Sequence, residues 1–101
     1  MSKTVKLDAA KILARVPEEH VFWCQDGRIF RDMLELGEAL ASMTDETFVF
    51  HSNTEKNDFA NWVRDIIKDE KLARDLVKSQ DRTQAAQKVA ERIDFLKAKL
   101  T

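Results

Sequence analysis

The fold is organised around one polar stretch in the middle of the chain, which reads HSNTEKNDFANW and runs from His51 to Trp62. Its first half consists almost entirely of hydrogen-bonding side chains. Beyond it, apolar residues recur at the spacing of one helix face, at Phe59, Trp62, Val63, Ile66 and Ile67. We therefore expect a bend at the polar residues, with Thr54 or Asn57 as the N-cap of a strongly amphipathic helix.

The rest of the composition favours helices around that bend. The chain has 101 residues, of which 44% are hydrophobic and 35% charged, and it contains only two Gly and one Pro. Such a chain is long enough for one modest core and has few of the residues that break helices. We predict a mostly α fold, a compact single-domain bundle of five or six helical segments over residues 1–101, with 1–19 as a peripheral N-terminal extension.

A short β-hairpin near residues 20–30 is the one exception that the sequence predicts. Asp26-Gly27 separates the apolar run Val21-Phe22-Trp23-Cys24 from Ile29-Phe30. An Asp-Gly pair between two apolar runs is typical of a tight hairpin turn.

Local capping signals place the remaining helices. Asp8 is expected to cap a first helix that stops at Pro17, and Thr44 to cap a short segment in which Phe48 and Phe50 (or Val49) are buried. Three further helices are predicted to start at Asp32-x-x-Glu35, at Asp69 and at Asp81-x-x-Gln84. In the helix that starts at Asp69, Val77 is expected among the inward residues. The last helix carries a narrow apolar seam through Ala86, Val89, Ile93, Leu96 and Leu100. We expect a monomer or a weak homodimer through this C-terminal helix.

Charge and cysteine content exclude several classes of function. A net charge of −1 disfavours a nucleic-acid binder, which normally carries clustered excess cations. Cys24 is the single cysteine, so we expect no disulfide framework, and no apolar run reaches the length of a membrane span. These observations predict a cytoplasmic protein that has no membrane partner.

Part of the chain, roughly residues 20–96, resembles a small uncharacterised domain family of archaea and bacteria, known as a domain of unknown function. The resemblance rests on DGR at 26–28, on the leucine-rich pattern ending in Asp45-Glu46-x-Phe48, and on HxNxxKNDFxxWVxD from His51 to Asp65. It implies a shared fold, and it carries over no established activity, substrate or cofactor.

The pair His51 and Asp58 has two interpretations. A carboxylate can orient an imidazole for acid–base catalysis. Alternatively, both side chains satisfy backbone groups at the helix junction, and we favour this structural role. His20, Cys24 and His51 lack the spacing of a metal site, so neither a metal nor a cofactor is expected.

Two further surfaces are candidates for binding. Strand alternation places Phe22 and Trp23 on opposite faces, so one of them is expected to be exposed to a partner. Cations form a possible basic surface at Arg28, Arg31, Lys56 and Arg64, and a basic edge interleaved with acids at Lys68, Lys71, Arg74, Lys78 and Arg82. Charges at this density are usually a solvated face.

The sequence thus favours a small non-catalytic binding module, and we expect its partner to be another protein. An anion, nucleotide-type ligand or weakly bound nucleic acid at the helix start after Asn53 is the alternative, and a small enzyme using His51 and Asp58 ranks third. The residues expected to bind are His51, Asn53, Lys56, Asn57, Asp58, Trp23 and Arg28.

Overall fold

The computed structural model describes residues 6–100, with side chains from residue 8 onward, and confirms a mostly α bundle with a small hairpin. Residues 1–5 of the predicted N-terminal extension lie outside the described part. The α-helices are α1 (Lys6–Leu13), α2 (Met33–Ser42), α3 (Asp45–His51), α4 (Asp58–Trp62), α5 (Glu70–Lys78) and α6 (Arg82–Ala98). No helix within residues 6–100 is long and apolar enough to cross a membrane.

The predicted hairpin consists of β1 (Phe22–Trp23) and β2 (Ile29–Phe30), paired antiparallel. Its turn is closed by two backbone hydrogen bonds, from Cys24 N–H to the Arg28 carbonyl (2.9 Å) and from Gly27 N–H to the Cys24 carbonyl (3.0 Å). Gly27 has a φ of +96°, a conformation that glycine adopts without a Cβ penalty. The turn therefore has three residues, and Asp26 does not share the positive φ of Gly27.

The helix after the polar run changes its geometry half way. α4 continues into a π-helical turn over Val63–Ile67, and the N–H groups of Lys68 and Asp69 both donate to the Val63 carbonyl. Lys68 ends this turn with a φ of 73°. A lysine pays a steric cost in the left-handed region, so this end of the helix is locally strained.

The core joins α2, α6 and an aromatic cluster beneath the hairpin. Phe22 stacks on Phe30 with ring centroids 5.1 Å apart and on Phe59 at 5.3 Å, and Trp62 meets Phe22 edge-on. Gly37 allows α2 to approach α6, because a Cβ there would lie 3.2 Å from Val89 Cγ1. The seam of α6 is used within the fold, since Val89, Ile93 and Leu96 are buried.

Several sequence predictions are wrong in detail. Asp8 lies inside α1 instead of capping it. Phe48 is buried as expected, but Val49 and Phe50 are exposed, because α3 turns Thr47, Phe48 and His51 inward. Val77 is also exposed, because Leu72, Ala73 and Leu76 fill the inward face of α5.

Candidate functional site

His51 is the last residue of α3 and lies inside the aromatic cluster, where only 5% of it remains exposed. Its ring packs against Phe22 at 5.1 Å and against Phe59 at 5.2 Å, while the exposed Phe50 covers it edge-on at 4.9 Å. The imidazole thus occupies a position in the core where an apolar side chain is the usual occupant.

Both ring nitrogens of His51 have partners, and one partner fixes the tautomer. The backbone N–H of Gln25 donates to Nε2 over 2.9 Å, so Nε2 must be the unprotonated nitrogen. Nδ1 therefore carries the hydrogen and donates it to Asp58 Oδ2, also over 2.9 Å. One imidazole consequently links the hairpin turn, the end of α3 and the start of α4.

This geometry provides structural support and no free catalytic base. The lone pair of Nε2 is already engaged by a backbone amide, and the ring is enclosed by aromatic side chains. Neither His51 nor Asp58 lines any of five grooves found on the surface of residues 8–100. The imidazole thus lies outside these grooves, where a bound substrate would be expected.

Asp58 is held as a carboxylate by its neighbours. Burial by itself would raise the pKa of Asp58, but hydrogen bonds from His51 and Lys56 outweigh that effect and hold the pKa below its ordinary value. Lys56 Nζ lies 3.0 Å from Oδ2, the oxygen that also accepts from His51. The lysine is therefore already paired and also lies 4.8 Å from the ring centre of Phe50.

Asn53 closes the loop between α3 and α4 through its own side chain. Its Nδ2 donates to the Val49 carbonyl (2.8 Å), and its Oδ1 accepts from the N–H groups of Glu55 (2.9 Å) and Lys56 (3.3 Å). These bonds cap the end of α3 and shape the turn that follows.

Asn57 performs the matching role at the start of α4. Its Oδ1 accepts from Ala60 N–H (3.0 Å), as expected for an N-cap, and its Nδ2 donates to the Leu76 carbonyl in α5 (3.3 Å). The first turn also carries the Asp58 carboxylate. This short helix start is already capped and negatively charged, so its geometry offers no support for the predicted anion site.

The predicted basic surface is paired with local carboxylates. Arg28 contacts Asp26 (3.4 Å) and donates to Ser42 Oγ at the end of α2 (2.7 Å). Arg31 pairs with Glu35, and Arg64 pairs with Asp65 next to it. Arg28 thus fastens the hairpin to α2.

Trp23 is the exposed member of the hairpin pair, with 72% of its surface accessible, while Phe22 is buried. The side chain of Gln25 lies on the same outer side two residues further, as the alternating burial of residues 22–25 shows. Gln25 in turn borders a shallow groove of about 670 Å³ whose other lining residues are Thr44, Asp45, Glu46, Thr47, Val49 and Phe50. Exposed apolar side chains therefore flank the junction of hairpin and α3.

Two histidines and one cysteine were considered as metal ligands, and each has a different role in the structure. His20 is exposed, and its carbonyl accepts the Trp62 Nε1 hydrogen (2.8 Å). Burial raises the pKa of the Cys24 thiol, which keeps it protonated and a poor ligand. Within the part of the chain that has described side chains, no group of three His, Cys, Asp or Glu residues is placed to hold a metal ion.

Two features of the structure were not predicted from the sequence. Phe50, or alternatively Val49, was expected in the core, but both are exposed because α3 turns His51 inward. The second feature is the buried ion pair in which Arg92 donates to Asp69 through Nε (2.7 Å) and Nη2 (3.1 Å). Only the Asp69 cap was visible in sequence, because Arg92 lies on another helix.

Comparisons with family models, with curated proteins and with solved structures returned no match to this chain. The resemblance to a family of unknown function therefore stays a prediction.

Proposed function

We propose that this protein is a non-catalytic protein-interaction module that binds its partner through an exposed apolar surface formed by Trp23, Val49 and Phe50. The observation that carries the proposal is the exposure of these side chains, 72%, 55% and 51% respectively. Exposed tryptophan and phenylalanine are costly to leave in water, and both are enriched at the cores of protein interfaces.

The His51 contacts support the same proposal by making this surface rigid. The hydrogen bond from Gln25 to His51 joins the hairpin that carries Trp23 to the helix that carries Val49 and Phe50. A surface whose parts are already fixed loses less conformational entropy on binding than a flexible one. In this proposal His51 and Asp58 position the binding residues and do not contact the partner.

The lining of the neighbouring groove supports a proposal about the chemistry of the partner. Asp45 and Glu46 lie at the start of α3, beside Val49 and Phe50. A partner that presents apolar side chains next to lysine or arginine would complement this surface. We further propose a monomer in a reducing cytoplasm, supported by the use of the α6 seam within the core and by the free thiol of Cys24.

The test is a quantitative pull-down with tagged protein from a lysate of the source organism. We expect Trp23→Ala and Phe50→Ala to lose a bound protein that the unchanged chain captures, while Val77→Ala retains it. Val77 is a matched control because it is an equally exposed apolar residue (65%) on α5.

Stability must be measured in parallel for all three variants. Because Trp23 and Val77 are largely exposed, we expect Trp23→Ala and Val77→Ala to change the free energy of unfolding by about 0.5 kcal/mol or less. Phe50→Ala is expected to cost more, because the Phe50 ring is half-buried and covers His51. Capture that is unaffected by Trp23→Ala and Phe50→Ala, or lost equally with Val77→Ala, would overturn the proposed surface.

A further inference from the structure

A second surface, whose lining does not include Trp23, is rich in charged side chains. It is a groove of about 1310 Å³ bordered by α1, the π-helical turn, α5 and α6. A volume above the usual range of about 300–1,000 Å³ for small-ligand pockets, in an open trough, suits a segment of polypeptide better than a compact ligand. We propose that this groove is a docking site for an acidic amphipathic helix of a partner protein.

The charges that line the groove carry the first part of the argument. Its cations are Lys11, Lys68, Lys71, Arg74, Lys88, Arg92 and Lys99, and its carboxylates are Asp8, Asp69, Glu70, Asp75 and Glu91. Lining cations therefore exceed lining carboxylates by two in a chain whose net charge is −1. Two ion pairs, Arg92 with Asp69 and Lys71 with Asp75, each remove one charge of either sign and leave this excess unchanged. Complementary charge on the occupant would be negative.

Apolar side chains among these cations carry the second part. Ile12, Ile66 and Ile67 line the groove together with Phe95, which is 44% exposed. The ring of Phe95 has two cations close to it, the guanidinium of Arg92 and Nζ of Lys99, each 5.0 Å from the ring centre. A segment with carboxylates beside apolar residues matches both features at once, as in helix-in-groove recognition.

The groove is also built on fixed elements. Arg92 and Asp69 form a bidentate ion pair in which the Asp69 side chain is 1% and the Arg92 side chain 11% exposed, and this pair ties the start of α5 to α6. Next to it, Lys68 holds a left-handed backbone conformation at the end of the π-helical turn. The two walls are therefore set before a partner arrives, which lowers the entropic cost of docking.

Nucleic acid fits this surface less well than an acidic helix. The carboxylates Asp8, Glu70 and Glu91 interrupt the cations, and a phosphate backbone needs a continuous basic path. The apolar lining would find no counterpart along such a backbone.

The test measures fluorescence anisotropy of a labelled synthetic peptide against the full chain. The probe is a helix-forming peptide of about four turns with leucine on one face and glutamate beside it. Three other probes serve as comparisons: the same composition scrambled so that no apolar face forms, a version with lysine in place of glutamate, and a single-stranded oligonucleotide. We expect saturable binding of the first probe alone, weakened by added salt.

Matched variants locate the binding on the molecule. We expect the pair Lys88→Glu and Lys99→Glu to weaken binding by about tenfold or more, and Phe95→Ala to weaken it as well. The control pair Lys78→Glu and Lys97→Glu makes the same charge change at exposed positions of α5 and α6 outside the groove, and we expect it to keep the affinity.

Four outcomes would overturn the proposal. These are absence of binding at millimolar peptide, equal binding of the scrambled peptide, equal loss in both charge-reversal pairs, and tighter binding of the oligonucleotide. Circular dichroism of each variant establishes that it is folded. Because Trp23→Ala leaves this groove untouched, failure of one proposed surface does not decide the other.

Discussion

Replacement of His51 by phenylalanine separates the hydrogen bonds of the imidazole from its packing. A phenyl ring preserves the ring contacts with Phe22 and Phe59 but offers no nitrogen to Gln25 or Asp58. We therefore expect His51→Phe to destabilise the fold through lost polar contacts, not through a cavity.

The magnitude follows from the two bonds that are lost. Leaving the part-buried Gln25 N–H without an acceptor costs about 1–3 kcal/mol, and a hydrogen bond to a charged group contributes about 1.5–3 kcal/mol. The Asp58 side chain is 31% exposed and keeps Lys56 at 3.0 Å, so water and lysine replace part of the second contribution. We expect a net loss of about 2–4 kcal/mol, which lowers Tm on the order of 10–20 °C in a domain of this size.

Urea and thermal unfolding followed by circular dichroism measure this loss, and amide hydrogen exchange at Gln25 reports the hairpin bond directly. The matched control is His20→Phe, the same substitution at an exposed position. If His51→Phe costs less than about 1 kcal/mol, or no more than His20→Phe, then His51 does not hold the hairpin and helices together.

Three further outcomes test other parts of the fold. The pKa of Asp58 is lowered in the folded state, so its carboxylate stabilises the protein fully above about pH 5, and this contribution is lost as the pH falls through the folded pKa. The difference in stability between wild type and Asp58→Asn should therefore disappear in acid. A difference that stays constant in urea unfolding at several pH values would contradict this. Gly37→Val should cost about 1–3 kcal/mol, because even a Cβ added at Gly37 would lie only 3.2 Å from Val89 Cγ1. Unchanged thermal stability would contradict this close approach of α2 and α6. Arg92→Met leaves the Asp69 carboxylate, which is 2% exposed, without its ion-pair partner and should cost about 3–5 kcal/mol. Adding Asp69→Asn should recover part of this loss, and strict additivity of the two substitutions in a double-mutant cycle would contradict the pairing.

The sequence predicted best the structure that depends on neighbouring residues. The N-caps at Asp32, Thr44, Asn57, Asp69 and Asp81 each accept from an N–H three residues ahead, a bond that is legible in a short window of sequence. The Asp-Gly turn and the amphipathic spacing after Asn57 are local in the same sense. These signals also explain why the bundle and its hairpin were predicted correctly.

Burial on the short helix α3 was not predictable in the same way. Val49, Phe50 and His51 compete for the core, and hydrophobicity alone favours the first two. The aromatic cluster of Phe22 and Phe59 comes from other parts of the chain and accepts the imidazole, because Gln25 and Asp58 satisfy both of its nitrogens there.

For the stretch from His51 to Trp62, the sequence by itself determined a polar bend, its caps and the helix that follows. The tertiary structure alone decided that His51 is buried with a fixed tautomer, because its hydrogen-bond donor lies 26 residues away in the hairpin turn. It likewise decided the ion pair between Asp69 and Arg92, 23 residues apart, and the charged groove beside it. Contacts between distant residues depend on how helices pack, and no local pattern specifies that packing.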